Sequence, residues 1–376
     1  MNHDVLVTGF GVRTVFGTGA DAVRDGVFGG HPVFAPITRF DTSGYRTKAA
    51  ATAGEPAPLR EVLYDRAEAA VAMAGLPEGG DTAVLVGTAG DFAGLTRFWR
   101  ESGGPRVADT VPARQAELLA SRLGLHGPRM AFTNACVASA SAITHACRLI
   151  AAGRVETALC AGGYLVEEEN LAKFDSGFAL SGKGEVRPFS ADRSGLLLGD
   201  GAAAVLLESP DHARRRGARV LGAVTGWGAA SDAYHVARPH PEGAGLAIAV
   251  QQALRRAGGA PIDYVNAHGT ATRHNDPAET CGLRTVFGAA ADTVPVSSTK
   301  GVTGHLLEAS GVVEFVITLL ALMDGVLPPT AGFTEPDPEC DLDYVPNRPR
   351  RAGLRRALTV NAAFGGANTA LVLERS

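Results

Sequence analysis

Cys136 is a candidate nucleophile because of its position in the chain. It follows an apolar run that begins at Met130 and precedes a segment rich in alanine and serine, so it lies where a strand would lead into a helix. A thiol at a helix start is exposed to the positive end of the helix dipole, which lowers its pKa and increases the thiolate fraction. This segment predicts a reactive cysteine, and a buried structural cysteine is the alternative.

Two histidines occur in loops of the same kind. His268 follows a short apolar segment and is followed by the hydroxyls of Thr270 and Thr272, which could donate to a polar ligand. His305 lies five residues after Lys300, in a loop rich in glycine, serine and threonine that opens a predicted helix. Either histidine alone would be interpreted more simply as a structural residue with satisfied hydrogen bonds.

One cysteine and two histidines at three predicted strand ends nevertheless form a coherent set. Open α/β sheets place their sites beyond the carboxyl ends of strands. A cysteine can carry an acyl group as a thioester, and two neutral imidazoles can each donate an N–H to a carbonyl or carboxylate oxygen. Lys300 and Glu314, which lies nine residues after His305, could fix the protonation and orientation of this loop.

The segments that must position these residues alternate in character. Short apolar runs, typical of strands buried on both faces, alternate with amphipathic stretches of helix length, which predicts an α/β fold. A unit of strand, reactive residue and helix at residues 130–152 recurs at 294–324 and suggests an internal duplication, while residues 162–198 and 328–351 are predicted to be long loops. The predicted strands are 5–9, 83–87, 130–134, 157–161, 202–208, 220–226, 264–267, 294–297, 357–361 and 369–374, and the predicted helices are 20–29, 59–74, 112–123, 137–152, 210–216, 243–257, 276–287 and 305–324.

The composition of the 376 residues excludes several function classes. A net charge of −4, from 35 Lys and Arg against 39 Asp and Glu, excludes nucleic-acid binding by bulk charge, although a local basic patch could bind an acidic partner. The first residues lack the features of a secretory signal, and the longest apolar stretch, 315–323, is too short to span a bilayer. The five cysteines form no CxxC pair, and the histidines at 235, 240, 268 and 274 lack ligand spacing. We therefore expect neither a disulfide framework nor a metal site, and a cytoplasmic location.

At the segments that contain Cys136, His268 and His305, the chain resembles the β-ketoacyl-acyl carrier protein synthases, the elongating condensing enzymes of the thiolase fold. The resemblance runs nearly from end to end, and its most specific motifs surround His268 and His305, in that order after an Ala-Cys pair. The matching segments are Val7-Thr-Gly-Phe-Gly11, Phe40-Asp-Thr-Ser43, Asn134-Ala-Cys136, Leu198-Gly-Asp-Gly-Ala202, Ser231-Asp-Ala-Tyr-His235, Asn266-Ala-His-Gly-Thr-Ala-Thr272, Ser298-Thr-Lys-Gly-Val-Thr-Gly-His305 and Phe364-Gly-Gly366.

The resemblance implies a five-layered αβαβα fold built from two duplicated halves. Residues 1–208 would carry the nucleophile, and residues 209–376 would carry both histidines. The implied activity is an acyltransferase reaction, the decarboxylative Claisen condensation of a cysteine-bound acyl group with malonyl-acyl carrier protein. Substrates would arrive on the phosphopantetheine arm of the carrier protein, without a permanently bound cofactor or metal. The implied assembly is a homodimer, or a heterodimer with a related subunit, without nucleic acid or membrane.

The resemblance also assigns roles to individual residues. Cys136 would accept the acyl chain, while His268 and His305 would bind the malonyl thioester and promote its decarboxylation. The backbone N–H groups of Cys136 and Phe364 would form the oxyanion hole, and the Phe364 side chain would gate the acyl pocket. The remaining implied or candidate residues are Lys300 and Glu314 for loop support, Thr270 and Thr272 for the phosphopantetheine arm, and Arg60, Arg66, Arg106 and Arg238 for carrier-protein docking.

Several departures from the family pattern concern specificity rather than the condensation apparatus. Asn134 stands two residues before the nucleophile, where Ser or Thr is usual, and Ala363 precedes Phe364, where Gly is usual. The chain is also shorter than typical members, mainly within residues 44–111. Because Ala restricts a loop more than Gly does, we expect a restricted range of acyl lengths. These differences favour a specialised polyketide or fatty-acyl pathway over housekeeping fatty-acid synthesis.

Neighbouring families differ at the same positions. Degradative thiolases carry a second cysteine in the C-terminal glycine-rich loop, and residues 360–368 contain none. Initiating synthases use Cys-His-Asn, and chain-length factors lack the nucleophile. Two alternative functions remain open: an acyltransferase that forms an ester or amide, and a non-condensing subunit that shapes the pocket of a partner.

Overall fold

The computed structural model describes residues 4–54, 57–77, 79–101 and 106–376. Ten principal strands form its sheet, and each predicted strand corresponds to one of them. These strands are β1 (Val5–Thr14), β2 (Ala83–Gly87), β3 (Arg129–Phe132), β4 (Thr157–Tyr164), β5 (Gly201–Glu208), β6 (Gly222–Ser231), β7 (Tyr264–Asn266), β8 (Val296–Ser297), β9 (Arg356–Ala362) and β10 (Ala367–Arg375). Two-residue strands occur at Gly17–Thr18, Ala35–Pro36, Ala49–Ala50, Val326–Leu327 and Arg350–Arg351.

The two halves of the sheet have the same strand order. From one edge the first half runs β3-β2-β4-β5-β1, and the second half runs β8-β7-β9-β10-β6. In each half the first two pairings are parallel and the last two are antiparallel. Residues Val5–Val7 of β1 also pair with β6, which joins the halves into a continuous sheet. The repeated order confirms the duplication that the sequence suggested.

The helices follow the predicted pattern with some additions. The α-helices are α1 (Ala20–Val23), α2 (Leu59–Ala74), α3 (Phe92–Arg100), α4 (Pro112–Arg122), α5 (Ala138–Ala151), α6 (Glu168–Ser176), α7 (Pro210–Arg215), α8 (Ala244–Arg256), α9 (Asn275–Phe287), α10 (Lys300–Thr303) and α11 (Ser310–Asp324). A π-helical turn spans Arg24–Phe28, and 3₁₀ turns span Val107–Asp109, Ala135–Val137, Gly288–Asp292 and Leu307–Ala309.

The helices form three layers around the two half-sheets. In the middle, α5 and α11 contact each other and strands of both halves. On one outer side, α2 packs on β1, β5 and β4, and α4 packs on β2 and β3. On the other side, α8 packs on β6 and β10 and also contacts α9. This arrangement confirms the predicted five-layered αβαβα fold.

The central helix α11 is built to be enclosed on all sides. Its sequence carries a single charged residue, Glu314, before its last position, and its residues from Ser310 to Leu322 are all buried, as expected for a helix that is apolar all round. Gly311 allows α5 to approach closely, because a Cβ at this position would lie 2.4 Å from the backbone nitrogen of Ala140. None of the helices in the described ranges has the length and hydropathy that a membrane crossing requires.

The structure differs from the sequence prediction in several places. The predicted helix 305–324 begins only at Ser310, because Leu307 adopts a positive φ of 44°, which interrupts a right-handed helix. Helix α6 lies inside the predicted loop 162–198, and α3 was not predicted. Both are nine-residue helices, too short for a clear periodic pattern.

Candidate active site

Cys136 lies in the 3₁₀ turn between β3 and α5. The preceding residue, Ala135, has a φ of 54°, a strained conformation that turns the chain sharply from strand to helix. The thiol is 5% exposed, and burial raises its pKa to about 12, with a smaller raising effect from Glu308. The sequence prediction of a lowered pKa is therefore wrong, because desolvation of the thiolate outweighs the helix dipole. The thiol needs a neighbouring base to react.

His305 lies where a base could accept the thiol proton. Its Nε2 lies 3.1 Å from Cys136 Sγ, and its Nδ1 lies 3.1 Å from Ser310 Oγ. Burial and then the charge of Lys300 hold the pKa of His305 well below its usual value, so the imidazole is neutral. If Nδ1 carries the ring proton and donates it to Ser310, Nε2 is free to accept the thiol proton. Backbone hydrogen bonds to Leu197 and Gly199 fix this residue in place.

His268 faces the same space from another loop. Its ring centroid lies 5.3 Å from that of His305, with the ring planes at 84°. Burial, with smaller effects of Lys300 and His305, lowers its pKa well below the usual value. Its Nδ1 is buried without a hydrogen-bond partner among the described residues. Two neutral imidazoles thus lie together, and one of them has an unused ring nitrogen.

A buried ion pair supports both histidine loops. The Lys300 ammonium, 1% exposed, donates to the His268 carbonyl oxygen at 2.6 Å and pairs with Glu314. Asn361 Nδ2 donates to the second Glu314 oxygen at 2.6 Å. Because each charge has partners, the pair can persist without water. The network joins the His268 loop to α10, α11 and β9.

Two acidic residues that the sequence analysis missed hold the His268 loop from behind. Glu279 accepts the N–H groups of His268 at 2.6 Å and Gly269 at 2.7 Å. Burial raises its pKa to about 7, although the two N–H groups favour the ionised form. Asp276 accepts the N–H of Thr270 at 3.1 Å. The signal was present, since two acids three residues apart lie on one face of the helix after the His268 motif.

Sequence comparison identifies the family. The β-ketoacyl synthase N-terminal domain matches residues 2–213, and the β-ketoacyl synthase C-terminal domain matches residues 221–334. The chain belongs to the β-ketoacyl synthase family. The matched regions contain Cys136 in the first domain and His268, Lys300 and His305 in the second.

Named relatives align with this β-ketoacyl synthase over nearly its whole length. It is 33% identical to 3-oxoacyl-[acyl-carrier-protein] synthase 2 of Coxiella burnetii, over 99% of this chain and 98% of the relative. It is 36% identical to the tetracenomycin polyketide synthase ketoacyl synthase alpha subunit of Streptomyces glaucescens, over 99% and 97%. These matches confirm the predicted activity class, a condensing acyltransferase.

Solved structures confirm the thiolase fold. The ishigamide ketosynthase/chain length factor superposes with a TM-score of 0.93 at 30% identity, over 100% of both chains. A β-ketoacyl synthase from Burkholderia phymatum superposes with a TM-score of 0.91 at 29% identity, over 99% of both chains.

Phe364 lies at the tip of the β9–β10 hairpin of this β-ketoacyl synthase. Its ring is 48% exposed and stacks on Phe174 of α6, with centroids 5.4 Å apart. Gly365 and Gly366 have φ values of 86° and 79°, whereas Ala363 has no positive φ. The two glycines therefore supply the left-handed turn, and Ala363 fits this conformation without strain. Phe174 was missed because α6 was not predicted.

The predicted phosphopantetheine contacts follow His268 directly. Thr270 is buried and Thr272 is half-buried, and their hydroxyl oxygens lie 2.9 Å apart. The Thr272 hydroxyl also accepts the N–H of Asn275 at 3.4 Å. The two hydroxyls are thus linked at the start of the loop that leads out of the buried site. Their role stays a prediction.

The four predicted docking arginines have different surroundings. Arg60 is exposed beside Glu61, at 3.4 Å, and Arg106 pairs with Asp109 at 3.1 Å. Arg66 is half-buried and donates to the Val12 carbonyl at 3.4 Å, and burial lowers its pKa. Its packing against β1 makes it the least suited to docking.

Arg238 is the docking candidate whose charge acts on His274, six residues after His268. It is exposed, and its charge helps to lower the pKa of His274, after burial and together with Arg273. A positive surface therefore lies next to Thr272. In the described ranges, no cluster of His, Cys, Asp and Glu side chains has the arrangement of a metal site.

Proposed function

We propose that this chain is a 3-oxoacyl-acyl carrier protein synthase in which Cys136 carries the acyl chain and His268 and His305 act on a malonyl thioester. The observation that supports this proposal most directly is the 3.1 Å contact between Cys136 Sγ and His305 Nε2, with the His268 ring across from it. A buried thiol, a neutral base and a second neutral imidazole are the groups that this condensation needs.

Acyl loading uses the thiol and His305. The Cys136 proton moves to His305 Nε2 as the sulfur attacks the acyl thioester of the carrier. The bond between the acyl carbon and the carrier sulfur breaks, and the carrier thiol leaves with the proton from His305. The backbone N–H groups of Cys136 and Phe364 are proposed to bind the oxygen anion of the tetrahedral intermediate.

Condensation then uses both imidazoles as donors. For this step the ring proton of His305 has exchanged from Nδ1 to Nε2, and Nδ1 accepts from the Ser310 hydroxyl. An N–H of each ring can then donate to the thioester carbonyl oxygen of the malonyl group, where charge develops as carbon dioxide leaves. The resulting carbanion equivalent attacks the acyl carbonyl on Cys136, a carbon–carbon bond forms, and the bond to sulfur breaks. The product is a 3-oxoacyl thioester, and the Cys136 thiolate is regenerated. Lys300 and Glu314 are proposed to position the loops.

The substrate carrier is proposed to be an acyl carrier protein. One solved structure, at 25% identity and a TM-score of 0.90, is described as a type II polyketide synthase acyl-carrier protein in complex with its ketosynthase bound to the hexaketide. Thr270 and Thr272 would contact the phosphopantetheine arm, and the exposed Arg238 is the strongest of the proposed docking residues. No other cofactor is proposed.

The assembly, the domain division and the pathway are also proposals. A heterodimer with a related subunit is consistent with the name of the ishigamide ketosynthase/chain length factor, and a homodimer is the other proposed assembly. The boundary between residues 208 and 209 falls in the connection between β5 and β6, and the shared strand order supports it. A specialised polyketide or fatty-acyl pathway in the cytoplasm is the setting proposed from the sequence.

The test is mass spectrometry of the intact protein after incubation with a panel of acyl-carrier proteins, followed by addition of malonyl-carrier protein. We expect an acyl adduct on Cys136 and then a 3-oxoacyl-carrier product. Acylation with an ester or amide product would instead support the acyltransferase alternative. Absence of any acylation, alone and with a related subunit, would support the non-condensing alternative.

A further inference from the structure

Glu308 is an acidic residue beside the nucleophile that the proposed mechanism does not use. It lies in the 3₁₀ turn Leu307–Ala309, which contacts both the turn that carries Cys136 and strand β4. Its side chain is only 9% exposed and forms no hydrogen bond or ion pair with another residue of the described chain. Its charge is close enough to raise the pKa of Cys136, after the larger effect of burial.

Two more polar groups without partners lie next to Glu308. Tyr164, the last residue of β4, is 2% exposed, and its hydroxyl has no hydrogen-bond partner within the described ranges. The same holds for one carboxyl oxygen of Glu167, three residues further on. After burial, the charges of Glu167 and Glu308 both raise the pKa of Tyr164, which places the three groups within electrostatic reach of each other. We refer to Tyr164, Glu167 and Glu308 as the polar cluster.

The polar cluster differs from the other buried acids of the site. Glu314 pairs with Lys300 and Asn361, and Glu279 accepts two backbone N–H groups. An unpaired buried polar group costs about 1–3 kcal/mol, and such groups are rare in folded proteins unless they serve a ligand or a water molecule. Since the supporting acids are fully paired, the unpaired oxygens of the polar cluster point to a ligand.

The ligand chemistry follows from the state of these groups. Burial, the largest cause, raises the pKa of Glu308, and it raises the pKa of Glu167 to about 8. Near neutral pH Glu167 therefore carries a proton, so the polar cluster presents the O–H groups of Glu167 and Tyr164 beside the Glu308 carboxyl group. An O–H group can donate to a carbonyl oxygen and can both donate to and accept from a hydroxyl. A saturated hydrocarbon would leave these groups unpaired.

We propose that the polar cluster is the oxygen-binding part of the acyl site, so that Cys136 accepts acyl chains bearing a keto or hydroxyl group in preference to saturated chains. The proposal rests on the proposed function, because it requires the chain to be held as a thioester on Cys136. The contact between the Glu308 turn and the Cys136 turn places one end of the cluster beside the thiol that would carry that chain.

The test compares three carrier-bound acyl groups of equal length: octanoyl, 3-hydroxyoctanoyl and 3-oxooctanoyl. The loading rate of Cys136 is followed by mass spectrometry of the intact protein. We expect the unmodified protein to load at least one oxygenated chain about fivefold or more faster than octanoyl, since one neutral hydrogen bond contributes roughly 1 kcal/mol. Tyr164→Phe, which removes a single oxygen, should reduce this ratio.

Two further variants separate hydrogen bonding from packing. Glu308→Gln keeps polar atoms in place and should retain part of the preference, whereas Glu308→Leu should lose it. Tyr234→Phe, at an exposed tyrosine, is the matched control and should leave the ratio unchanged. Equal loading of the three chains by the unmodified protein, or faster octanoyl loading, would overturn the proposal while leaving the proposed function intact. Absence of loading with all three donors would overturn the proposed function and this proposal with it.

Discussion

The sulfur of Cys136, the proposed nucleophile, and the Nε2 of His305 lie 3.1 Å apart although 169 positions separate the two residues in the chain. The cysteine belongs to the first half of the duplicated fold and the histidine to the second. Since burial raises the pKa of the thiol to about 12, we expect its reactivity to depend on this contact rather than on the turn in which it lies.

Replacement of the nucleophile should separate chemistry from folding. Cys136→Ala should abolish acyl loading and condensation with little change in the unfolding temperature, because only one sulfur atom is lost. Intact-protein mass and product analysis measure both steps. Cys136→Gln should also stop condensation, and it should raise malonyl decarboxylation because the amide resembles the acyl thioester. Formation of 3-oxoacyl product by the Ala variant would contradict the assignment.

The two histidines should affect loading differently. His268→Ala and His305→Ala should each reduce the condensation rate by on the order of 10²–10³, the typical effect of losing one donor to a developing charge. Loading should be slowed much more by His305→Ala, because only His305 contacts the thiol, and both variants should retain some acylation. Time courses of Cys136 acylation and of product formation test this. His31→Ala, at an exposed histidine, is the control, and normal turnover in either active-site variant would refute the roles.

The charge of Lys300 should set the acidic limit of activity. After burial, this charge is the next cause that lowers the pKa of both His268 and His305. Lys300→Met removes it, so both pKa values rise and the imidazoles become protonated at a higher pH. The acidic limb of the pH profile of kcat/KM should therefore move to higher pH in the variant. An unchanged limb, with a lower rate at every pH, would indicate that Lys300 acts only on loop geometry.

Glu167 should make stability fall as pH rises. Burial, the largest cause, raises its pKa from 4.5 to about 8 in the folded protein. Between these values the folded state binds more protons than the unfolded state, so this contribution is present below pH 4.5 and is lost by about pH 8. The unfolding temperature of Glu167→Gln, relative to the unmodified protein, should increase by a few degrees from pH 5 to pH 8.5. A constant difference across this range would contradict the raised pKa.

Phe364 and Phe174 should act together as the gate. Their stacked rings mean that either substitution to Ala removes the same contact. Both variants should broaden the range of acyl lengths that load on Cys136, and Phe364→Ala should also slow loading if it disturbs the oxyanion hole. Loading rates across a series of acyl-carrier proteins measure this. A length profile that neither substitution changes would show that Phe364 is not the gate.

The sequence predicted the parts of the fold that local pattern determines. The helix 59–74 and the strand 83–87 match α2 and β2 exactly in their bounds, because their apolar residues and ends are set by neighbouring residues in the chain. The break at Leu307 was missed, since its positive φ depends on packing against other segments. Helix α6, which contains Phe174, was not predicted because its segment has mixed polarity.

The sequence motifs predicted the central residues of the candidate site. The features that depend on tertiary packing were not predicted. The sequence identified Cys136, His268 and His305, and the structure brings them together. The pKa of Cys136 was predicted in the wrong direction, because burial depends on distant segments. Glu308 carries no motif of its own, and Glu279 has only the signal of an acid three residues after Asp276. Their contacts with the Cys136 and His268 loops arise only in the folded chain.

The close contact of Gly311 with Ala140 has a consequence for how this protein can vary. Helix α5, which follows Cys136, and helix α11, which follows His305, touch at Gly311, where a methyl group has no room. A larger side chain at this position would push the two helices apart, and we expect it to lengthen the distance between Cys136 Sγ and His305 Nε2. Residues outside this contact, such as Glu308, can change without that effect, so we expect substrate choice and catalytic alignment to vary independently.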